Sequence, residues 1–150
     1  MKKLFENFKK FLSENDYAGS HRPPSPESGS PLYDITLNGS YPKDVYSSNG
    51  KRWYGIGDGS DNSAWDKVFA AKDKPMTWIT VWRAVPKGVK SEYINDGDWV
   101  TIDKKYAIQH GEHALNGEYK LLKTRVLARS LFTDGNSILE WGLWYGGVNK

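Results

Sequence analysis

Apolar residues near the start of the chain recur at helical spacing, with lysines and glutamates between them: Leu4, Phe5, Phe8, Phe11 and Leu12. This spacing predicts an amphipathic helix over residues 1–18. Residues 19–31 are polar and contain four of the seven prolines of the chain. Such a segment has little apolar area to bury, so it is predicted to be a flexible Pro/Ser linker. The main domain is then expected over residues 32–150.

The strongest strand signal is the run of β-branched and aromatic residues over 76–85. Alternation places Ile79, Val81 and Arg83 on one face, and both faces are expected to be buried. Further strands are predicted over 98–102, 118–128 and 137–145, and helices over 61–72 and from an N-cap at Asp103. Turn-rich residues 33–59 are expected to hold short strands or loops. Because the helices precede most of the strands, the fold class is α+β.

Composition removes several classes of function. The chain has no cysteine, which excludes disulfides, thiolate metal sites and a cysteine nucleophile. No apolar run approaches the roughly 18 residues of a membrane helix, and the first ten residues are broken by charge too often for a signal-peptide core. We therefore expect a cytoplasmic protein with no membrane partner. His110 and His113 have a spacing that could suit a metal, but no third ligand is evident, and no metal site is expected.

Aromatic side chains are abundant, with seven Trp, nine Tyr and five Phe in 150 residues. Rings of this kind form cores, partner interfaces and stacking surfaces for nicotinamide or nucleobases. The net charge of +3 is too small to indicate wholesale binding to a phosphate backbone. Composition alone therefore leaves the partner open.

Three polar residues on separate predicted strands form the candidate chemistry. Arg83 ends an otherwise apolar strand face, Thr101 precedes a helix start, and Glu140 lies among apolar and aromatic neighbours. Cleavage of the glycosidic bond of NAD needs such a set: an arginine for the pyrophosphate, a hydroxyl near the ribose and a carboxylate for the oxocarbenium-like transition state. The alternative is an internal ion pair between Arg83 and Glu140, with Thr101 an ordinary strand residue.

The order of these segments resembles the arginine-serine-glutamate class of ADP-ribosyltransferases. Residues 80–86, with Arg83, resemble the aromatic-arginine strand of that class, and residues 99–103, with Thr101, resemble its hydroxyl-bearing strand. Residues 135–140 resemble the loop that presents the catalytic glutamate, here Glu140. Residues 32–146 are also similar to small domains of phage and prophage polyvalent proteins.

The resemblance implies an ADP-ribosyltransferase-like domain of two small, mostly antiparallel sheets around a cleft. It implies NAD as the substrate, with Glu140 and Thr101 in catalytic roles and Arg83, Trp99 and Tyr106 binding NAD. The acceptor stays open among a protein side chain, a nucleic acid, a small molecule and water. A phage product of this kind would modify a host factor in the cytoplasm of the host cell.

Two functions of other classes remain open from the sequence. A non-catalytic phage protein could use the same fold to occlude a host partner, since aromatic residues also form interface hot spots. A nucleic-acid binder would rest on a set of basic residues in the second half of the chain: Lys104, Lys105, Lys120, Lys123, Arg125 and Arg129.

Overall fold

The computed structural model describes residues 22–146, which form an α+β domain with three α-helices and two small antiparallel sheets in that range. The α+β class predicted from the order of elements is confirmed. The predicted helix over residues 1–18 lies outside the described residues. Between residues 22 and 146, no helix is long and apolar enough to cross a membrane.

The larger sheet has four short strands in the order β1-β5-β6-β3. Their bounds are Ser30–Pro31 for β1, Trp99–Val100 for β3, Leu131–Thr133 for β5 and Trp141–Leu143 for β6. The sequence predicted one strand over 137–145, but only Trp141–Leu143 is paired. Residues 137–140 form a turn and a short connection instead, and this places Glu140 directly before β6.

The smaller sheet pairs β2 (Trp78–Pro86) with β4 (Tyr119–Leu127) along nine residues. Strands were predicted over 76–85 and 118–128, and both are confirmed. The expectation that both faces of β2 are buried is wrong. Ile79 and Val81 are buried in the core, whereas Trp78 on the opposite face is 57% exposed. Alternation shows which residues share a face, but not whether another layer covers that face.

The three α-helices are α1 (Gly50–Tyr54), α2 (Asn62–Ala70) and α3 (Lys104–Ala114), with 3-10 turns at Lys43–Tyr46 and Ala128–Ser130. The α2 and α3 predictions are confirmed in position. The carboxylate of Asp103 caps α3 by accepting a hydrogen bond from the backbone N–H of Lys105 at 3.0 Å. Residues 33–59 were expected to hold short strands or loops, and they hold α1 and a 3-10 turn among loops.

The two sheets are joined through the segment that contains β3. Trp99 and Val100 pair with β6 in the larger sheet. The next residue, Thr101, forms an antiparallel bridge with Trp82 of β2 in the smaller sheet. Each backbone N–H of this bridge donates to the other residue's carbonyl, at 2.9 and 3.0 Å. Three consecutive residues therefore fix the position of one sheet relative to the other.

Part of the segment predicted to be a linker, residues 19–31, is packed in the domain. Ser30 and Pro31 form β1 and pair with Thr133 and Phe132 of β5. Pro24 is also buried, and its carbonyl accepts a hydrogen bond from the Trp144 indole at 2.9 Å. Residues 24–31 are thus part of the domain, which begins before residue 32. Pro31 suits this position because β1 is an edge strand, where a missing N–H does not interrupt the sheet.

Gly142 of β6 provides a test of this packing. A Cβ at residue 142 would collide with the carbonyl oxygen of Pro24 and lie 3.1 Å from the Pro23 side chain. Because the obstacle is backbone, we expect Gly142→Ala to lower the free energy of unfolding by about 1–3 kcal/mol. It should also open residues 24–31 to a non-specific protease, to which we expect the wild type to be resistant there.

Gly88→Ala is the matched control, since a Cβ at residue 88 meets no atom within 4 Å. Thermal unfolding and limited proteolysis of both variants measure the effect. Cleavage between residues 24 and 31 in the folded wild type would contradict the assignment of this segment to the domain.

Candidate active site

Glu140 is a buried carboxylate held at the end of a structured turn. Glu140 is only 2% exposed to solvent. The turn before it is closed by a hydrogen bond from the Leu139 N–H to the Ser137 hydroxyl at 3.1 Å. The Trp141 indole N–H donates to the Ile138 carbonyl at 2.7 Å. Bonds on both sides of Glu140 therefore fix the backbone from which its side chain extends.

The loop that leads to Glu140 is anchored on a distant part of the chain. Gly135 has φ +88°, and a Cβ there would collide with the carbonyl oxygen of Ser40. The Ser40 hydroxyl donates to the Thr133 carbonyl at 2.9 Å, and the Thr133 hydroxyl accepts from the Gly135 N–H at 3.1 Å. Glycine is required at residue 135 both for its left-handed backbone and for this close approach.

Tyr106 of α3 contacts the candidate carboxylate directly. Its hydroxyl donates a hydrogen bond to Glu140 Oε2 at 2.9 Å, and the ring is 2% exposed. Burial raises the pKa of the Tyr106 hydroxyl well above its usual value, and the charge of Glu140 raises it further. The phenol therefore stays protonated at neutral pH and remains a hydrogen-bond donor to Glu140.

Thr101 directly follows β3, and Glu140 directly precedes β6, the strand with which β3 pairs. The pairing joins Trp99 with Gly142 and Val100 with Trp141, and it ends before Thr101 and Glu140. Thr101 is 2% exposed, and its hydroxyl accepts a hydrogen bond from the Asp103 N–H at 3.2 Å. The hydroxyl is therefore fixed at the start of α3, between the β2 bridge and the Tyr106 helix.

Arg83 reaches the same region from the other sheet. It lies one residue beyond the Trp82–Thr101 bridge, and its Nη1 donates to the Trp99 carbonyl at 2.8 Å. The side chain is half-buried, and Trp99 is almost fully buried. This bond across the junction of β2 and β3 holds the guanidinium at the point where the two sheets meet.

His110 is a buried residue of α3 that interacts electrostatically with Arg83. Burial lowers the pKa of His110 from 6.5 to about 4, and the positive charge of Arg83 contributes to the same shift. The imidazole is therefore neutral at physiological pH. Among residues 22–146, no group of three His, Asp or Glu side chains is arranged to hold a metal ion.

Two further polar residues border this region and were not singled out as site residues by the sequence. Asp61 is buried, and its Oδ2 accepts hydrogen bonds from the Trp65 indole and the Ile56 N–H, each at 2.9 Å. Burial raises the pKa of Tyr41, and the nearby charges of Asp61 and Glu140 add to that effect. The spacing of Asp61 and Trp65, four residues apart on a helix start, was the available signal for Asp61. No local signal marks Tyr41.

The five sequence-predicted site residues lie on elements that meet where the two sheets join, with direct bonds from Arg83 to Trp99 and from Tyr106 to Glu140. We call them the junction cluster: Arg83, Trp99, Thr101, Tyr106 and Glu140. It combines a cation, a hydroxyl, a buried carboxylate and two aromatic rings. Protein-family models, curated proteins and solved structures gave no match to this chain.

The low pKa of His110 predicts how stability depends on pH. Between about pH 6.5 and 4 the unfolded chain binds a proton at His110 that the folded protein does not bind. The free energy of unfolding should therefore fall as the pH is lowered through this range, by up to about 3 kcal/mol from this residue. His110→Gln should flatten this part of the profile, as measured by urea unfolding at several pH values.

His113→Gln is the control, because His113 is an exposed residue of the same helix. It should leave the pH profile unchanged. Equal slopes for wild type and His110→Gln would contradict a buried neutral imidazole at residue 110.

Proposed function

We propose that this chain is an NAD-dependent mono-ADP-ribosyltransferase or NAD glycohydrolase with an ADP-ribosyltransferase-like fold, whose substrate cleft lies between the two sheets. One observation carries the proposal: the segment containing β3 bonds to both sheets and gathers Arg83, Thr101 and Glu140 from three separate strands or strand ends. These are the residue types that cleavage of the nicotinamide–ribose bond requires.

Arg83 would bind the pyrophosphate. A guanidinium is planar and always charged, and it matches two phosphate oxygens at once. Its bond to the Trp99 carbonyl sets the direction of the group before substrate arrives. Because this bond is to the backbone, substitution of the Trp99 side chain should leave the arginine oriented.

Glu140 would stabilise positive charge at the ribose carbon. In the reaction, the bond from that carbon to the nicotinamide nitrogen breaks, and the bonding electrons leave with nicotinamide. Water or an acceptor group then bonds to the carbon and loses a proton. A carboxylate acts strongly on such a charge from a water-poor position, and Glu140 is buried and hydrogen-bonded to Tyr106.

Thr101 and the two rings would complete the site. Thr101 follows β3 and Glu140 precedes β6, which pair with each other, and the Thr101 hydroxyl would fix the nicotinamide ribose. Trp99 and Tyr106 supply aromatic surface near the same point and would border the nicotinamide. Tyr106 has a second role in this proposal, because its hydroxyl positions the Glu140 carboxylate.

Glu140→Gln tests the proposal. Glutamine keeps an oxygen that can accept the Tyr106 hydrogen bond but removes the charge, so folding should be retained. We expect release of nicotinamide from NAD, followed by chromatography, to fall by about 100-fold or more. The thermal midpoint should be unchanged or slightly raised, because charges at active sites often oppose stability.

Glu92→Gln, at an exposed position, is the matched control and should change neither property. If Glu140 serves only as a structural partner of Arg83, its neutralisation should lower the midpoint by about ten degrees or more. That result, or no calorimetric binding of millimolar NAD by the full chain, would overturn the assignment.

A further inference from the structure

The two-stranded sheet has one face packed on the core and one open face. Residues directly opposite in an antiparallel pair share a face, so Trp78 lies with Leu127, and Trp82 with Lys123. On the core face, Ile79 and Val126 are buried. On the other face the side chains are half-buried or exposed: Trp78, Thr80, Trp82, Ala84, Leu121, Lys123, Arg125 and Leu127. An apolar and aromatic sheet face is thus left partly open to solvent.

Cations are distributed among the rings of this face. The Arg125 guanidinium lies 5.0 Å from the centroid of the Trp78 ring. The Lys67 ammonium, from α2, lies 5.2 Å from the centroid of the Trp82 ring. Lys123, directly across from Trp82, is exposed. We call this set the tryptophan strip: Lys67, Trp78, Trp82, Lys123 and Arg125.

The strands that carry the strip are free of acidic residues. No Asp or Glu occurs in residues 74–91, which include β2, or in residues 119–133, which include β4. Within the two strands themselves the charged residues are Arg83, Lys120, Lys123 and Arg125, and of these Lys123 and Arg125 lie on the open face. The charge on the open face of this sheet is therefore positive. A polyanion with flat apolar groups is the complementary ligand.

We propose that the tryptophan strip binds single-stranded nucleic acid. Bases would stack on Trp78 and Trp82, and Arg125 and Lys123 would bind the phosphates. The Arg125 guanidinium, which now lies near the Trp78 ring, would turn toward a phosphate as a base takes its place on the ring face. The Lys67 ammonium would stay beside Trp82, where it donates a hydrogen bond to the Ile102 carbonyl. Aromatic side chains alternating with cations on an open sheet are the combination that recognises single strands without strong sequence preference.

The geometry favours a single strand over a duplex. Trp78 and Trp82 are four residues apart on β2, so their attachment points are about 13 Å apart, and each ring would meet a different base. Stacking of this kind needs exposed base faces, which a duplex keeps inside its helix. The strip lies on the face of β2 opposite to that of Arg83, but the bridge sets Trp82 directly opposite Thr101, so the strip adjoins the proposed NAD site at that residue. Oligonucleotide binding is measured without NAD, so its failure and the failure of the proposed NAD chemistry are distinguishable.

The experiment measures fluorescence anisotropy of a labelled 20-nucleotide single-stranded DNA or RNA titrated with the full chain. We expect binding that weakens as salt is raised from about 50 to 200 mM. Trp78→Ala should weaken it about tenfold, and Trp78→Tyr, which keeps a ring, should restore most of the affinity. Arg125→Gln should weaken binding and reduce the salt slope by about one.

Controls outside the strip separate specific binding from general attraction. Trp53 is 54% exposed and lies on α1, so Trp53→Ala is matched to Trp78→Ala and should leave affinity unchanged. Arg52→Gln is the corresponding charge control. The proposal is overturned by no binding at low salt, by equal losses in Trp53→Ala and Trp78→Ala, or by equal affinity for a duplex. Binding to anionic lipid vesicles but not to the oligonucleotide would also overturn it.

Discussion

The pair of backbone hydrogen bonds between Trp82 and Thr101 is the interaction on which the arrangement of this domain depends. Those bonds join the long two-stranded sheet to the short four-stranded one. The residues just before Thr101 pair with β6, and the residues just after it cap and begin α3. One extended segment of five residues therefore sets the relative positions of two sheets and a helix. The smaller sheet contributes Arg83 to the junction cluster, the larger sheet contributes Trp99, and α3 contributes Tyr106.

The elements predicted most accurately are those with long, regular patterns. The strands β2 and β4 extend over nine residues each, and the start of α3 has a local cap at Asp103. These signals lie in residues that are neighbours in the chain, so they can be recognised from the sequence alone. In the larger sheet, β3 and β6 lie within strands that were predicted too long, over 98–102 and 137–145, whereas β1 and β5 were not predicted. These strands are only two or three residues long, and a pattern that short does not fix where a strand begins or ends.

The segment predicted to be a linker shows where composition fails. Prolines and serines indicate that residues 24–31 would not form a regular element by themselves. They do not indicate that Gly142 leaves a space into which the Pro24 carbonyl fits, or that β5 offers an edge to Ser30. For the candidate site, the three chemically distinct residues were identifiable because each interrupts an apolar pattern. Tyr41 does not interrupt an apolar pattern. Its interaction with the charge of Glu140 arises only from the tertiary fold, so the sequence gives no sign of it.

The anchoring of the Gly135 loop on Ser40 limits how this site can be moved or recombined. Ser40 and Thr133 are 93 residues apart in the chain, and yet their bond helps to shape the turn that carries Glu140. A chimaera that took residues 131–143 into another scaffold would carry the carboxylate without the surface on which its loop rests. The turn that carries Glu140 therefore cannot be transferred alone. An exchange between related chains would have to move the segment around Ser40 together with residues 131–143.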